Sequence, residues 1–292
     1  MTRSTRARPL QGRAQPVSGV GVGLRLPHLE QVLAERPAVD WFELLADNHL
    51  GTPQTLPKLE RLRADYPLTL HCVGMSLGGT DALDAAYLAR IRELADRLDI
   101  ALVSDHLCFT RHRGTDFHDL LPVPYIEEVL AHICDRLRRA QDILGRRLLI
   151  ENASAYLRYR DSVIPEGEFL AALTQATECG LLVDVNNAYV NEVNLGTPVS
   201  AFLDALPAEH VLQAHLAGYD DRGDYLLDAH NSPVTDPVWE HFADFVERFP
   251  DVPTLIEWDN DLPSLSQLLD EAAKAQRLIE RTACAGARVL AR

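Results

Sequence analysis

Short apolar runs alternate along this chain with longer segments whose apolar residues recur every three or four positions. Eight of the short runs have the composition of strands. They are VGVGLRL from Val20, DWFELLA from Asp40, LTLHCV from Leu68, ALVSDHLCF from Ala101, RLLIENA from Arg147, GLLVDVNNA from Gly180, VLQAHLAG from Val211 and TLIEWDN from Thr254. Helical patterns lie between most of them. The segment DALDAAYLARIRELADRLD carries Leu83, Tyr87, Leu88, Ile91 and Leu94 at helical spacing. The segment PYIEEVLAHICDRLRRAQDILG opens on a proline and closes on Gly145, with Ile126, Val129, Leu130, Ile133 and Leu137 in one stripe and His132 off it. PVWEHFADFVERFP and SLSQLLDEAAKAQRLIERTA predict two helices late in the chain. Strands alternating with helices imply βαβ units and a parallel sheet. Eight such units in under 300 residues predict an α/β fold, a single closed (β/α)₈ TIM barrel.

No linker divides the 292 residues, so the reading is one barrel domain over 18–292, preceded by a basic, disordered tail over 1–17. That tail lacks the apolar core of a secretory signal. A net charge of −15 disfavours nucleic acid and anionic membranes as partners and suits metal cations or a neutral or basic partner. No apolar run approaches the roughly 20 residues that span a bilayer. Cys72, Cys108, Cys134, Cys179 and Cys284 are dispersed without a CxxC pair, which argues against a disulfide framework or a structural zinc site and for a reducing cytoplasm. Cys134 reads as a small core residue.

The C-terminal ends of barrel strands surround the active site, and here those ends are polar. The second run gives Glu43, with Asp47 and Asn48 beyond it; the third gives His71 and the fourth Asp105 and His106. The fifth ends in Glu151 and Asn152, and the sixth in Asp184, followed by Asn186 and Asn187. The seventh ends in His215 and the eighth in Glu257, with Asp259 and Asn260 after it. One such residue means only that the chain is surfacing; six in succession, all His or carboxylate, do not. Glu151, Asp184 and Glu257 in one narrow mouth would raise each other's pKa unless cations neutralised them. Imidazoles among carboxylates favour iron, manganese or zinc over calcium or magnesium. Three histidines and three carboxylates exceed the needs of one ion with an open position, so two or three ions with a bridging carboxylate fit better. Asp228 and His230, on the polar stretch after the seventh strand, can fold back over the same mouth as further ligands.

The stretches LTLHCVGMSLGG, VSDHLCF, LLIENASAY, LLVDVNNAYVN, HLAGY, LDAHNSPV and TLIEWDNDLP together resemble the multinuclear non-heme iron-dependent oxidative enzymes, relatives of the methanobactin-biosynthesis oxidase, from about Gly21 to about Leu278. The resemblance implies a xylose-isomerase-like barrel holding two or three irons in mixed valence. By motif, His71, His106 and Glu151 would hold one iron, and Glu151 would bridge to a second completed by Asp184, His215 and Glu257. Asp228 and His230, with Asn187, would contribute to a third position. The implied activity is dioxygen-dependent oxidation of residues, often cysteine, in a ribosomally made precursor peptide. The resemblance further implies that the iron centre itself is the catalyst and that a small partner protein recognises the leader.

Other residues carry two readings each. Asp105 either orients the neighbouring His106 imidazole or satisfies a strand-end amide. Glu43, Asn48 and Asn152 are candidates for the pocket lining. Tyr156, Tyr189 and Trp258 either wall the pocket or pack in the core. His49, His112 and His118 lie in polar loops and read as solvated, although HDLLPVPY could form part of a lid. The rival enzyme class is a divalent-metal sugar isomerase or phosphodiesterase on the same barrel. Against it stand the absence of a strand-end lysine and the net charge of −15, which suits no DNA-facing surface. A non-enzymatic metal-loaded binding subunit would instead need a closed, fully coordinated site.

Overall fold

The computed structural model describes residues 15–52 and 54–290. The proposed disordered tail therefore falls almost wholly outside the described residues; Gln15, Pro16 and Val17 are described and line a cavity beneath the barrel. Eight parallel strands close on themselves: β1 (Val20–Leu24), β2 (Phe42–Leu45), β3 (Leu68–His71), β4 (Val103–His106), β5 (Leu148–Glu151), β6 (Gly180–Asp184), β7 (Val211–Leu216) and β8 (Thr254–Ile256). The order runs β1-β8-β7-β6-β5-β4-β3-β2, and closure pairs Val20 with Thr254 and Val22 with Ile256. The expected TIM barrel is the observed one.

The helices bury their apolar stripes against the outer faces of the strands. They are α1 (Leu26–Glu35), α2 (Leu56–Asp65), α3 (Ala85–Arg97), α4 (Glu127–Leu144), α5 (Glu166–Thr177), α6 (Val185–Leu195), α7 (Val199–Asp204), α8 (Asp236–Arg248) and α9 (Leu265–Leu290). In α3, Tyr87, Leu88, Ile91 and Leu94 are buried as their spacing predicts, and Asp84 caps the first turn by accepting from the Tyr87 amide at 2.9 Å. In α4, Ile133, Cys134 and Leu137 are buried, while His132 is exposed and meets the Gly79 carbonyl at 2.9 Å. Cys72, Cys108, Cys134 and Cys179 are all free and buried; Cys284 is exposed.

The structure departs from the sequence reading at two strand ends. The first run was expected to continue to Leu26 and the sixth to Ala188, but β1 stops at Leu24 and β6 at Asp184, and a helix follows each almost at once. At Asp184 the cause is local: its Oδ1 accepts from the Asn187 amide at 2.7 Å, an N-cap that turns the chain into α6. The polar run after the sixth strand is thus a helix rather than a loop. Two short antiparallel hairpins stand on the loops after β4 and β7. The first pairs Phe109–His112 with Thr115–Leu121, and the second pairs Asp220–Asp221 with Leu226–Leu227. The HDLLPVPY stretch considered as a lid begins in the first of them. Among the described residues, no helix is long and apolar enough to cross a membrane.

Candidate metal centre at the barrel mouth

Side chains two apart on a strand share a face, so each inward-pointing strand-end residue has a companion one layer deeper. For three strands that companion is polar: Thr69 below His71, Ser104 below His106 and Gln213 below His215, all essentially buried. Glu43 joins this lower layer. Its Oε2 accepts from Thr69 Oγ1 at 2.8 Å and from Gln213 Nε2 at 2.6 Å, and its Oε1 lies 3.0 Å from His215 Nε2. Ser104 Oγ meets His71 Nδ1 at 2.8 Å. The lower layer thus holds one nitrogen of two imidazoles and leaves the other facing the mouth, the arrangement that orients metal-binding histidines. Three strands carry the pattern polar-x-His, in TLH, SDH and QAH. That recurrence is the sequence signal that would have revealed Thr69, Ser104 and Gln213.

The upper layer is a set of three adjoining groups whose potential ligand atoms lie within 4.8 Å of one another: His71–His106–Glu151, Glu151–Asp184–His215–Glu257 and His230–Glu257–Asp259. Glu151 joins the first two groups and Glu257 the last two. His71 Nε2 and His106 Nε2 stand 3.5 and 3.4 Å from Glu151 Oε2, while His215 Nδ1 stands 3.5 Å from Glu151 Oε1 and 2.9 Å from Glu257 Oε2. Glu151 Oε2, Asp184 Oδ2, His215 Nδ1 and His230 Nε2 are buried; the two carboxylate oxygens have no hydrogen-bond partner within the protein, and the two imidazole nitrogens face only carboxylate oxygens, Glu257 Oε2 and Asp228 Oδ1 among them. Such atoms are costly to bury unless something satisfies them. Four converging in one mouth, all imidazole nitrogen or carboxylate oxygen, fit transition-metal cations.

Charge tells the same story. Burial alone would lower the His215 pKa, but Glu43, Glu257 and Glu151 hold it well above its ordinary value. Burial works on His230 in the same sense, and Asp228 and Glu257 override it. His106, where burial dominates, is pushed down to about 4. Burial pushes Asp184 up, whereas His215 and His230 hold Glu257 well down against the effect of its own burial. Imidazoles and carboxylates thus neutralise one another by sharing protons, and cations entering the mouth would displace those protons.

The loop after β7 is tied over this mouth as its sequence suggested. Gly218 makes the close approach possible, since a Cβ there would stand 2.3 Å from the Ser232 carbonyl oxygen. His230 adopts a left-handed φ of 46°, and its carbonyl accepts from the Asp259 and Asn260 amides at 2.8 and 3.1 Å. Asp228 Oδ1 lies 2.6 Å from His230 Nε2 and accepts from Asn186 Nδ2 at 2.8 Å; the Asp228 amide donates to Tyr156 Oη at 3.0 Å.

The remaining expected residues sort by what they touch. Asn187 sits beside the second group: its Nδ2 donates to the Asn152 carbonyl at 3.1 Å, and its buried Oδ1 has no partner. Asn152 spends its side chain on the backbone of Asp184, donating to the carbonyl and accepting from the amide, both at 2.9 Å, so it ties β5 to β6 instead of lining a pocket. Asp105 accepts from the Met75 and His106 amides at 3.0 and 2.6 Å, which decides for the strand-end reading; the His106 Nδ1 is 4.0 Å away. Asn48 is exposed on a 3₁₀ turn. Trp258 is buried, Tyr156 is part-exposed on the rim, and Tyr189 packs on Tyr219 and His241. His112 and His118 are exposed, and His49 is half-buried. Besides the lower-layer Thr69, Ser104 and Gln213, the sequence reading missed the part of Asp259, noted only as following Glu257, and of Arg25, whose guanidinium contacts both Glu257 and Asp259.

Residues 19–280 match the family described as RiPP precursor modification enzyme MbnB/TglH/ChrH, RiPP denoting a ribosomally synthesised and post-translationally modified peptide. A UPF0276 protein of Acaryochloris marina is 46% identical over 259 residues, covering 89% of this chain and 94% of its own length. A UPF0276 protein of Anaeromyxobacter sp. is 47% identical over 260 residues, covering 88% and 91%. Among solved structures, endonuclease IV from Thermus thermophilus matches with a TM-score of 0.59 at 17% identity, covering 90% of this chain and 99% of the other. A D-allulose 3-epimerase from Methylomonas sp. matches with a TM-score of 0.58 at 15% identity, covering 92% and 99%. These structural likenesses are of fold.

Proposed function

This chain belongs to the RiPP precursor modification enzyme family MbnB/TglH/ChrH, and from that premise we propose that it is a multinuclear iron oxidase. In this reading it uses dioxygen to modify a residue, cysteine by preference, of a ribosomal precursor peptide. The observation that carries the proposal is the run of three adjoining ligand groups that share Glu151 and Glu257 and contain buried atoms without partners. His71, His106, Glu151, Asp184, His215, Glu257 and His230 would hold the metal, with Asp259 beside them and Asp228 and Asn187 close by. Two or three irons fit, as one ion would leave most of these groups unused. Bound iron would supply a soft anchor for a substrate thiolate and the electrons for reducing dioxygen.

The chain's own residues prepare that chemistry. Glu43 and Ser104 hold His215 and His71 so that one imidazole nitrogen of each faces the mouth. Glu151 turns one oxygen to the first group and the other to the second, linking them through a single side chain. Apolar residues beneath the carboxylates, Leu149, Leu182 and Leu255, are buried and keep water from reaching the ligands from below. On the rim, Phe117, Tyr156 and Tyr225 are each 43% exposed on three different loops, an aromatic border suited to an extended peptide. A small leader-recognising partner would complete substrate capture, and free buried cysteines accord with a reducing cytoplasm.

The divalent-metal isomerase or phosphodiesterase gains nothing from the fold, which hosts many chemistries. The chain's two lysines stand away from the mouth: Lys58 pairs with Glu30, and Lys274 lies over the Trp239 ring. The deciding experiment is metal analysis with electron paramagnetic resonance on protein purified without oxygen, before and after brief exposure to air. Two or more irons per chain with a coupled mixed-valence signal that responds to oxygen is the expected result. Zinc or manganese alone, with no redox response, overturns the oxidase.

A further inference from the structure

The three ligand groups meet different surroundings. Arg25, the residue after β1, folds its side chain over the mouth and is 7% exposed. Its Nε donates to Asp259 Oδ1 at 2.9 Å, and its Nη2 reaches the same oxygen and also Glu257 Oε1 at 3.3 Å. The opposite oxygens of the two carboxylates are those that face His230 Nδ1, Asp259 Oδ2 at 3.4 Å and Glu257 Oε2 at 3.5 Å. Gly23 makes room for this arrangement, because a Cβ there would stand 2.9 Å from Arg25 Nη1. Among the described residues, no arginine or lysine pairs with Glu43, Glu151, Asp184 or Asp228.

We propose that Arg25 is a resident cation that makes His230–Glu257–Asp259 the weakest of the three metal positions. An ion there binds in competition with a guanidinium that already holds one oxygen of each of its carboxylates. Like charges a few ångströms apart in a mouth shielded from water repel strongly. A guanidinium, unlike an ammonium, cannot escape by releasing its proton. Relief therefore requires Arg25 to swing away, and the two inner groups fill first. Arg25 in this way sets the number of ions the mouth holds at a given metal supply. It does so as a positioning residue rather than as a ligand.

The inference rests on the metal-centre reading of the mouth, and the test separates the two. Ferrous iron is titrated without oxygen into the metal-free full-length chain against a chromophoric chelator, with bound iron counted by mass spectrometry. Wild type is compared with Arg25→Gln, Arg25→Lys and Gly23→Ala. Expected for wild type are two tight ions and a weaker third. In Arg25→Gln the third tightens by about tenfold, a difference of about 1.4 kcal/mol, while the first two stay in place. Gly23→Ala moves the third in the same direction, because its methyl group displaces the guanidinium without removing it; Arg25→Lys falls between wild type and Arg25→Gln, because an ammonium keeps the charge but can release its proton. Gly23→Ala also answers the question should Arg25→Gln fail to fold. A third ion unchanged or weakened in both Arg25→Gln and Gly23→Ala overturns the inference and leaves the metal centre standing. Wild type that binds no ion removes the metal centre and this inference together.

Discussion

At the scale of single residues, the mouth is legible wherever chemistry is written on the strand that bears it. His71, His106, Glu151, Asp184, His215 and Glu257 each follow buried apolar residues at a strand end, and each arrives where that position places it. Arg25 and Asp259 were not legible in this way. Their contact joins residues 234 apart in sequence and exists only because β1 closes the barrel beside β8. The lower layer was readable but subtle, a polar residue two before each histidine. Its role predicts a graded phenotype. Glu43→Gln should weaken metal binding at the His215 group by about 10- to 100-fold, as loss of a ligand's orienting partner does, while the His71–His106 group is spared. Chelator competition on the purified variant measures this; equal weakening at both groups would mean that Glu43 acts through the whole barrel and not through His215.

At the scale of elements, periodicity found the helices whose apolar stripe is long, and the ends of elements were decided by local hydrogen bonds. Asp184 ends β6, caps α6 and offers its free Oδ2 to the mouth, so one residue terminates a strand, starts a helix and faces the candidate metal. The loop after β7 depends similarly on Gly218. Gly218→Ala would force a methyl group against the Ser232 carbonyl and should cost about 1–3 kcal/mol, the usual range for overpacking. It should also lower occupancy at the His230 group, since Asp228 and His230 lie on the displaced loop; denaturant unfolding and metal counting report the two effects. Glu166, in the first turn of α5, ties that helix to Tyr125 at 2.9 Å and to Asn191 on α6 at 3.4 Å. Burial raises its carboxyl from an ordinary 4.5 to about 7, against those hydrogen bonds. Between these values the folded chain keeps a proton that the unfolded chain has lost, so this contribution is full below about pH 4.5 and fades as pH rises through 7. Glu166→Gln should flatten that part of the melting temperature–pH curve between pH 5 and 8; a slope identical to wild type would show that the proton resides elsewhere.

At the scale of the whole molecule, the net charge of −15 is partly concentrated where it does most work. Eight strands converge on one mouth, and carboxylates that would be scattered on an open surface are brought within a few ångströms of each other. Such a mouth is under electrostatic load until it is filled. Saturation with metal should therefore raise the melting temperature, by about 2.7 kcal/mol of added stability per independent position at a free concentration one hundred times the dissociation constant. Chelation should reverse it. A calorimetric scan with and without iron checks this, and coincident transitions would show that the folded state gains nothing from the ion. The fold itself was visible from the alternation of short strand-like runs and helical stripes. The hairpins after β4 and β7 were not: the second has only two-residue strands, and the first pairs Phe109–His112 with a largely exposed Thr115–Leu121 that carries no buried alternation to read.

Cys72 follows His71 directly, and the alternation of a strand sends the two side chains to opposite faces of the barrel wall. Cys108 lies two residues beyond His106 and is equally closed to solvent. For the proposed oxidation of a peptide cysteine, this geometry amounts to self-sparing. The protein carries sulfur within a residue or two of two of the proposed ligands, yet both thiols are closed to solvent. For Cys72, selectivity between a guest thiol and the enzyme's own would then follow from which side of a β-strand each occupies, with no recognition of sequence needed.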